Sequence, residues 1–331
     1  MLEQILLPLD GSTLAECVLP HAVTIARATM ARLTLLHVVE PGPGAESATT
    51  DPLHWHLRKA ESQAYLEEIT KRLRKLDLNV GSVQLEGHAA ERIVEYARDE
   101  AADLILLSSH GKSGLSPWNV SSLVQKVILR ANRSMMIVRA YERGVQDLGE
   151  MSYRRILVPM DGSRRAEHVL PIASALAADG ELVLTSVVTR PEMPRRSPLS
   201  EEDAELAEKV VARNREEAEK YLQQLKSWLS QPVSTRLLVA ESAVTALHRL
   251  AQEEHVDLVA LSAHGYSGDV HRPYGSLVTS FIIYGSTPLL IIQDLPADLI
   301  ESTKAETVTT RSLVTHRVQG GPTATHAESQ E

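Results

Sequence analysis

Short aliphatic runs alternate along the chain with longer stretches whose apolar residues recur at helical spacing. The runs at 5–9, 33–39, 80–85, 104–108 and 135–138 are almost continuously apolar, which predicts strands buried on both faces. A second set follows at 156–160, 182–188, 233–239, 258–262 and 289–292. Between them, residues up to 31, 54–76 and 90–100, and then residues up to 178, 200–229 and 244–254, read as helices; one more helix precedes each final strand. The stretch 200–229 is dense in Glu, Lys and Arg, with Leu206, Val210, Tyr221 and Leu225 at helical spacing, so one buried stripe on a solvated helix is expected. Strands alternating with helices predict a parallel sheet covered on both faces, and right-handed crossovers make it doubly wound.

The second set repeats the first. Residues 4–26 and 155–177 are identical at 13 of 23 positions without a gap, and 103–114 match 257–268 at eight of twelve. A repeat of this length is a duplicated domain rather than a solenoid unit. The expected organisation is therefore two tandem doubly wound α/β domains, each a five-stranded parallel sheet flanked by helices, at residues 1–140 and 154–294. Residues 141–153, with Gly144, Gly149 and no apolar period, are the expected linker. In 302–331, ten of thirty residues are Ser or Thr and no apolar face recurs, so 295–331 is expected to be a disordered tail.

Composition narrows the partners. Acidic residues number 43 against 34 basic, for a net charge of −9, which argues against duplex nucleic acid or an anionic membrane as partner. The single cysteine, Cys17, has no disulfide partner in the chain and fits a reducing compartment. No apolar run approaches the roughly 18 residues of a membrane span. Glu3 and Asp10 interrupt the first apolar stretch, so it does not read as a secretory signal; the expected location is the cytoplasm.

Open α/β sheets bind ligands beyond the carboxyl ends of their strands, where the winding reverses. Two loops in each half lie there: Asp10-Gly11-Ser12 with Ser108-Ser109-His110-Gly111, and Asp161-Gly162-Ser163 with Ser262-Ala263-His264-Gly265. Glycine in a strand-to-helix turn lets backbone N–H groups face an anion, while an aspartate accepts hydrogen bonds from a ribose hydroxyl or an adenine amine. Together they suggest a nucleotide. Ser12 and Ser163 are candidate caps of the helices that follow. His110 and His264 read as loop histidines that bond the turn or a ligand phosphate, since no nucleophile–base–acid set is visible. His54 and His56 do not share a helical face, so a metal site there is not expected. Cys17, Tyr221, Trp55, Trp118 and Trp228 read as packing or surface residues.

Nine residues after Gly111 stand Ser121-Ser122, and nine after Gly265 stand Gly275-Ser276. With the Pro-x-Asp turn after the first strand, this resembles the universal stress proteins, whose nucleotide-binding members carry G-x2-G-x9-G-[S/T]. The resemblance covers about residues 3–139 and 154–293. It implies an adenine nucleotide alpha hydrolase-like fold and a regulatory module that binds ATP or AMP, with Mg²⁺ or Mn²⁺ on the nucleotide. It further implies that Asp10 and Asp161 meet adenine or ribose, that Val38 and Val187 contact the base, and that Gly265, Gly275 and Ser276 cradle phosphates. Gly111, Ser121 and Ser122 are the first-half counterparts.

Both halves depart from the pattern. Ser108 and Ser262 replace its first glycine, and Ser121 replaces its third. If those positions need positive φ or a close phosphate, each Cβ costs on the order of 1 kcal/mol, which makes the second half the expected better site. Slow ATP hydrolysis or autophosphorylation is compatible with the resemblance, but no catalytic base can be named. The rival reading is a nucleotide-independent dimeric interaction protein; a synthetase or flavoprotein-like enzyme would need a further motif. The apolar last strands, 135–138 and 289–292, should lie at sheet edges. They can pair the halves around an internal pseudo-two-fold, or pair whole chains in a homodimer.

Overall fold

The computed structural model describes residues 2–41, 52–115, 120–140, 148–191, 201–266 and 273–294. The expected tail, Trp118, the proline-containing stretches 42–51 and 192–200, and the first part of the expected linker lie outside these residues. The first half runs β1 (Gln4–Pro8), α1 (Leu19–Thr29), β2 (Arg32–Val39), α2 (Pro52–Arg74), β3 (Val80–Glu86), α3 (Ala89–Asp99), β4 (Leu104–Ser108), α4 (Ser122–Ala131) and β5 (Ser134–Val138). The second repeats it as β6 (Arg155–Pro159), α5 (Leu170–Leu176), β7 (Glu181–Thr189), α6 (Glu201–Trp228), β8 (Val233–Ala240), α7 (Ala243–Glu253), β9 (Leu258–Ser262), α8 (Ser276–Tyr284) and β10 (Leu289–Ile292).

The strands form one ten-stranded sheet in the order β3-β2-β1-β4-β5-β10-β9-β6-β7-β8. Every pair within a half is parallel. The halves meet at β5 and β10, which pair antiparallel with Met135 opposite Ile291, Met136 opposite Leu290 and Ile137 opposite Leu289. These strands are thus at the centre of the sheet, each satisfying the other's edge within one chain. Alternation along the strands builds two cores. Ile5, Leu7, Leu33 and Leu35 face α1, α2, α5 and α6, while Leu6, Leu36, Ile105 and Ile137 face α3, α4, α7 and α8.

Further ties join the halves. Arg139, just past β5, is fully buried and donates to the Phe281 and Ile282 carbonyls at 2.8 and 3.3 Å, satisfying the carboxyl end of α8. Residues 148–153, at the end of the expected linker, are docked rather than free. Leu148 and Met151 pack on the core, and the buried Tyr153 hydroxyl meets His21 Nδ1 at 2.7 Å.

Two expectations are corrected. Ser12 and Ser163 do not open α-helices directly: their Oγ atoms accept from Ala15 and Ala166 N–H, both at 3.1 Å, and start a 3₁₀ turn. The α-helices begin after it, each with a proline in the first turn, where no N–H is needed. On α6, Leu206 and Val210 are exposed; full burial is confined to Val211, Leu222 and Leu225, so the packed stripe lies mainly toward the end of this long helix.

Candidate functional site

The winding reverses between β1 and β4 and between β6 and β9, so the two signature loops of each half meet at one end of the sheet. Gly11 and Gly162 adopt φ of +81° and +83°, which only glycine takes without strain. The turn then folds the aspartate back across the fourth-strand loop. Asp10 Oδ1 accepts from Ser12 N at 2.9 Å and from Ser12 Oγ at 2.6 Å, and Oδ2 accepts from Lys112 N. Asp161 does the same with Ser163 N at 3.0 Å, Ser163 Oγ at 2.7 Å and Tyr266 N at 2.6 Å. Each carboxylate braces two loops and keeps one free lone pair, on Oδ2.

The brace explains Gly111 and Gly265. A Cβ on either would stand 2.1 or 2.2 Å from the aspartate Oδ2. These glycines are needed for the carboxylate, before any ligand is considered. The serines that replace the motif's other glycines carry no strain: among the described non-glycine residues with positive φ, Ser108, Ser121 and Ser262 do not occur. Ser121 and Gly275 share φ −67°, with ψ of 162° and 167°. The backbone-strain argument for a better second site therefore fails. What differs is capping: Ser121 Oγ accepts from Val124 N at 3.4 Å, whereas Gly275 has no side chain to cap α8.

A cleft of about 670 Å³ opens in the first half. Of the residues singled out there, Asp10, Val38, Gly111 and Ser121 line it; Ser122 starts α4 but is not among its lining residues. His37, Glu40, Arg58, Ser62, Tyr65, His110 and Lys112 line it too. Sequence reading missed His37, Tyr65 and Arg58, which stand on β2 and α2 outside the glycine loops. Burial lowers the His37 pKa, with Lys112 acting in the same direction against the opposing Asp10 charge and the Leu9 carbonyl, so the ring is neutral at neutral pH. Burial, with the Glu16 and Asp10 charges and a hydrogen-bond interaction with Glu16, raises the Tyr65 pKa against the opposing Arg72 charge and keeps the phenol protonated. Cys17 Sγ lies 3.4 Å from Ser108 Oγ, half-buried at the base of the loop.

In the second half, Asp161, Gly265 and Tyr266 come together as their counterparts do, and Gly275 N donates to the Ala263 carbonyl at 2.8 Å. Val187 packs at the end of β7 against the core beneath α7 and α8, and Ser276 opens α8. His264 is buried in a network that the sequence did not announce. Its N and Nδ1 meet Asp294 Oδ1 at 3.0 and 2.8 Å, and Arg165 Nε meets Oδ2 at 2.8 Å. Burial works against the Asp294 charge, but the hydrogen bond from His264 and the charges of His264 and Arg165 prevail and hold its pKa below the usual value. The ionised carboxylate can only accept, so His264 Nδ1 carries a proton. The first half has Leu14, His110 and Ala140 at these places, and Ser109 Oγ serves instead, 3.1 Å from His110 Nδ1 and accepting from Ala140 N at 3.0 Å. The Ser109 hydroxyl beside His110 is fully buried and tied to the Ala140 N–H, so it does not face the cleft.

Among the described residues no group of three His, Cys, Asp or Glu side chains is arranged to hold a metal ion, and no helix is long and apolar enough to cross a membrane.

The model of the universal stress protein family matches residues 1–139 and again 152–293. Universal stress protein MJ0531 of Methanocaldococcus jannaschii is 30% identical over 139 residues, 41% of this chain and 82% of the relative. MJ0577 of the same organism is 26% identical over 155 residues, covering 42% and 96%. Among solved structures, a universal stress protein from Archaeoglobus fulgidus superposes with TM-score 0.62 at 16% identity, over 88% of this chain and 98% of that one. A putative universal stress protein from Pseudomonas aeruginosa gives 0.63 at 17% identity, over 92% and 97%. Two family matches in one chain, on a sheet whose halves repeat one topology, establish that the protein belongs to the universal stress protein family as a tandem two-domain member.

Proposed function

We propose that the protein is a regulatory stress-response module that binds an adenine nucleotide, ATP or AMP, in the cleft of its first half. The observation that carries this is the convergence of Asp10, Val38, Gly111, Lys112 and Ser121 around one cavity of about 670 Å³, at the point where the winding reverses. Val38 would contact the base, and Asp10 would accept from the ribose through its remaining lone pair. Lys112, which lines the same cavity as Ser121, would supply positive charge for the phosphates. Mg²⁺ or Mn²⁺ would enter on a triphosphate. The free lone pair of Asp10 suits a ligand hydroxyl better than a phosphate oxygen, since like charges repel.

The second half carries the same brace, but its loop is tied through His264, Asp294 and Arg165 into a buried ionic network. A ligand reaching the His264 loop would have to disturb that network, and breaking one member of a buried pair costs on the order of 3–5 kcal/mol. We therefore favour the first half over the second, the reverse of the preference drawn from Gly275.

Mass spectrometry of small molecules released on denaturing the purified protein, followed by calorimetry with ATP and AMP on the full chain, tests the reading. One site is expected, removed by Val38→Trp, which fills the cleft from the end of β2. Absence of nucleotide in both assays would return the protein to the nucleotide-independent interaction reading.

A further inference from the structure

The first-half cleft lies across the end of the sheet and has a wall against each core. Leu36 and Val38 on β2 face α3 and α4, and Glu40, one residue past the strand, continues that alternation. On this side the cleft is lined by Val38, Ala89, Ile93, Leu107, Leu123 and Val124, all of them in the core beneath α3 and α4 or packed against it. Such an apolar wall takes the face of a flat heterocycle and leaves its edge to a few placed polar groups. Glu40 lines the same cleft and is exposed.

The Glu40 carboxylate is anchored. Its Oε1 accepts from Ala89 N at 2.8 Å, the first N–H of α3, while His88 ahead of that helix makes no side-chain cap. One accepted bond leaves most of a carboxylate's acceptor capacity for a ligand. The second half gives the comparison. Thr189, the last residue of β7, stands at the place of Glu40, and α7 is capped by its own Ser242, whose Oγ accepts from Thr245 N at 3.3 Å. The fold can therefore start this helix without a carboxylate at the strand end, and only the first half keeps one there, at its cleft.

A carboxylate only accepts hydrogen bonds, so it discriminates at the 6-position of a purine. Adenine presents an amine there, a donor; hypoxanthine presents a carbonyl oxygen, which a carboxylate repels. Resting on the nucleotide reading of this cleft, in which Val38 meets the base and Asp10 the ribose, we propose that Glu40 accepts from the 6-amino group and selects adenine over 6-oxopurines. Its bond to Ala89 holds the carboxylate in place for that contact, at the open end of the apolar wall.

The test is calorimetry on the full chain with ATP, inosine triphosphate and purine riboside triphosphate, which has hydrogen at the 6-position; the three monophosphates replace them if AMP alone binds. The three share sugar and phosphates, so their differences report the base edge alone. Wild type is expected to prefer ATP to either analogue by about tenfold or more, as for a hydrogen bond to a charged group. Glu40→Ala should level the three. Glu40→Gln should reverse the order of ATP and inosine triphosphate: its Oε1 can still accept from Ala89 N–H, and that cap fixes the amide with its Nε2 donor in place of the second carboxylate oxygen. In urea without ligand, Glu40→Gln should unfold near the wild-type midpoint and Glu40→Ala below it, because only alanine removes the cap. Each ratio compares ligands on one variant, so a weakened fold does not imitate it. Equal affinity of wild type for the three nucleotides, or wild-type discrimination retained in Glu40→Ala, overturns the inference and leaves the nucleotide site standing. The same holds if Glu40→Gln loses all three alike. Binding of neither ATP nor AMP by wild type overturns the site itself and the inference with it.

Discussion

Gly111→Ala separates a glycine kept for a protein contact from one kept for a phosphate. The backbone at 111 is not in the left-handed region, so alanine is tolerated conformationally. The obstacle is the Asp10 carboxylate, whose Oδ2 would stand 2.1 Å from the new methyl. That is more than 1 Å inside ordinary van der Waals contact, roughly 3.5 Å. The carboxylate must swing away and give up the Lys112 N–H. A hydrogen bond to a charged group contributes about 1.5–3 kcal/mol, and the lower end applies because this one lies at the surface. Adding strain on the two Ser12 bonds, the expected loss is about 2 kcal/mol. It should appear as a lower urea midpoint with no nucleotide present. Gly265→Ala should repeat the result, because its methyl would meet Asp161 Oδ2 at 2.2 Å.

A double-mutant cycle makes the attribution specific. Asp10→Ala removes both the brace and the obstacle, so Gly111→Ala should cost almost nothing further in that background, giving a coupling of about 2 kcal/mol. If the two losses simply add, or if Gly111→Ala is as stable as wild type and only nucleotide binding falls, then the glycine serves the ligand and the brace account is wrong.

Other outcomes follow from the same contacts. His21 is buried, and loss of hydration lowers its pKa from 6.5 to about 4. Between those values the unfolded chain binds a proton that the folded one excludes, so stability should fall by about 3 kcal/mol as the pH drops from 6.5 to 4; urea titrations of wild type and His21→Asn should differ in that window. Asp294, held below its usual pKa, adds a contribution that is present at neutral pH and lost only as the pH falls below about 4; Asp294→Ala should remove that later acid step. Ile291→Lys places an ammonium in a fully buried position opposite Met135 and should cost more than about 3 kcal/mol, with the halves unfolding in two separate transitions by calorimetry. Ser121→Gly removes a cap and should cost a few tenths of a kcal/mol in the same unfolding assay, without altering the backbone at that position.

The repeat made much of this fold legible. Ten aliphatic runs and two copies of Asp-Gly-Ser are enough to place the strands, the winding and the two loops at the strand ends. The order of the halves in one sheet followed from the need to cover two apolar last strands. What stayed hidden is pairwise and distant in sequence. Gly111 meets Asp10 across a hundred residues, and nothing at either position signals that the carboxylate fills the space of a Cβ. His37 read as part of a strand and Tyr65 as part of a charged helix; only the fold brings the two rings together at one cleft. Asp294 and Arg165 escaped notice because the first half has Ala140 and Leu14 in their places, so the repeat that exposed the shared residues masked those belonging to one half. Leu206 and Val210 misled for the opposite reason: helical periodicity tells which face could be buried, not which of its turns meet the core.

The duplicated halves also serve as controls for each other, because the same backbone holds different side-chain economies. Glu16 and Glu167 occupy equivalent turns, yet one is turned to Arg72 and the other to Tyr221. On the far loop the divergence runs the other way: the His264 ring meets a carboxylate that itself holds an arginine, while the His110 ring meets the neutral Ser109 hydroxyl. A buried ionic triad resists rearrangement more than a neutral pair does, since removing either partner leaves an uncompensated charge.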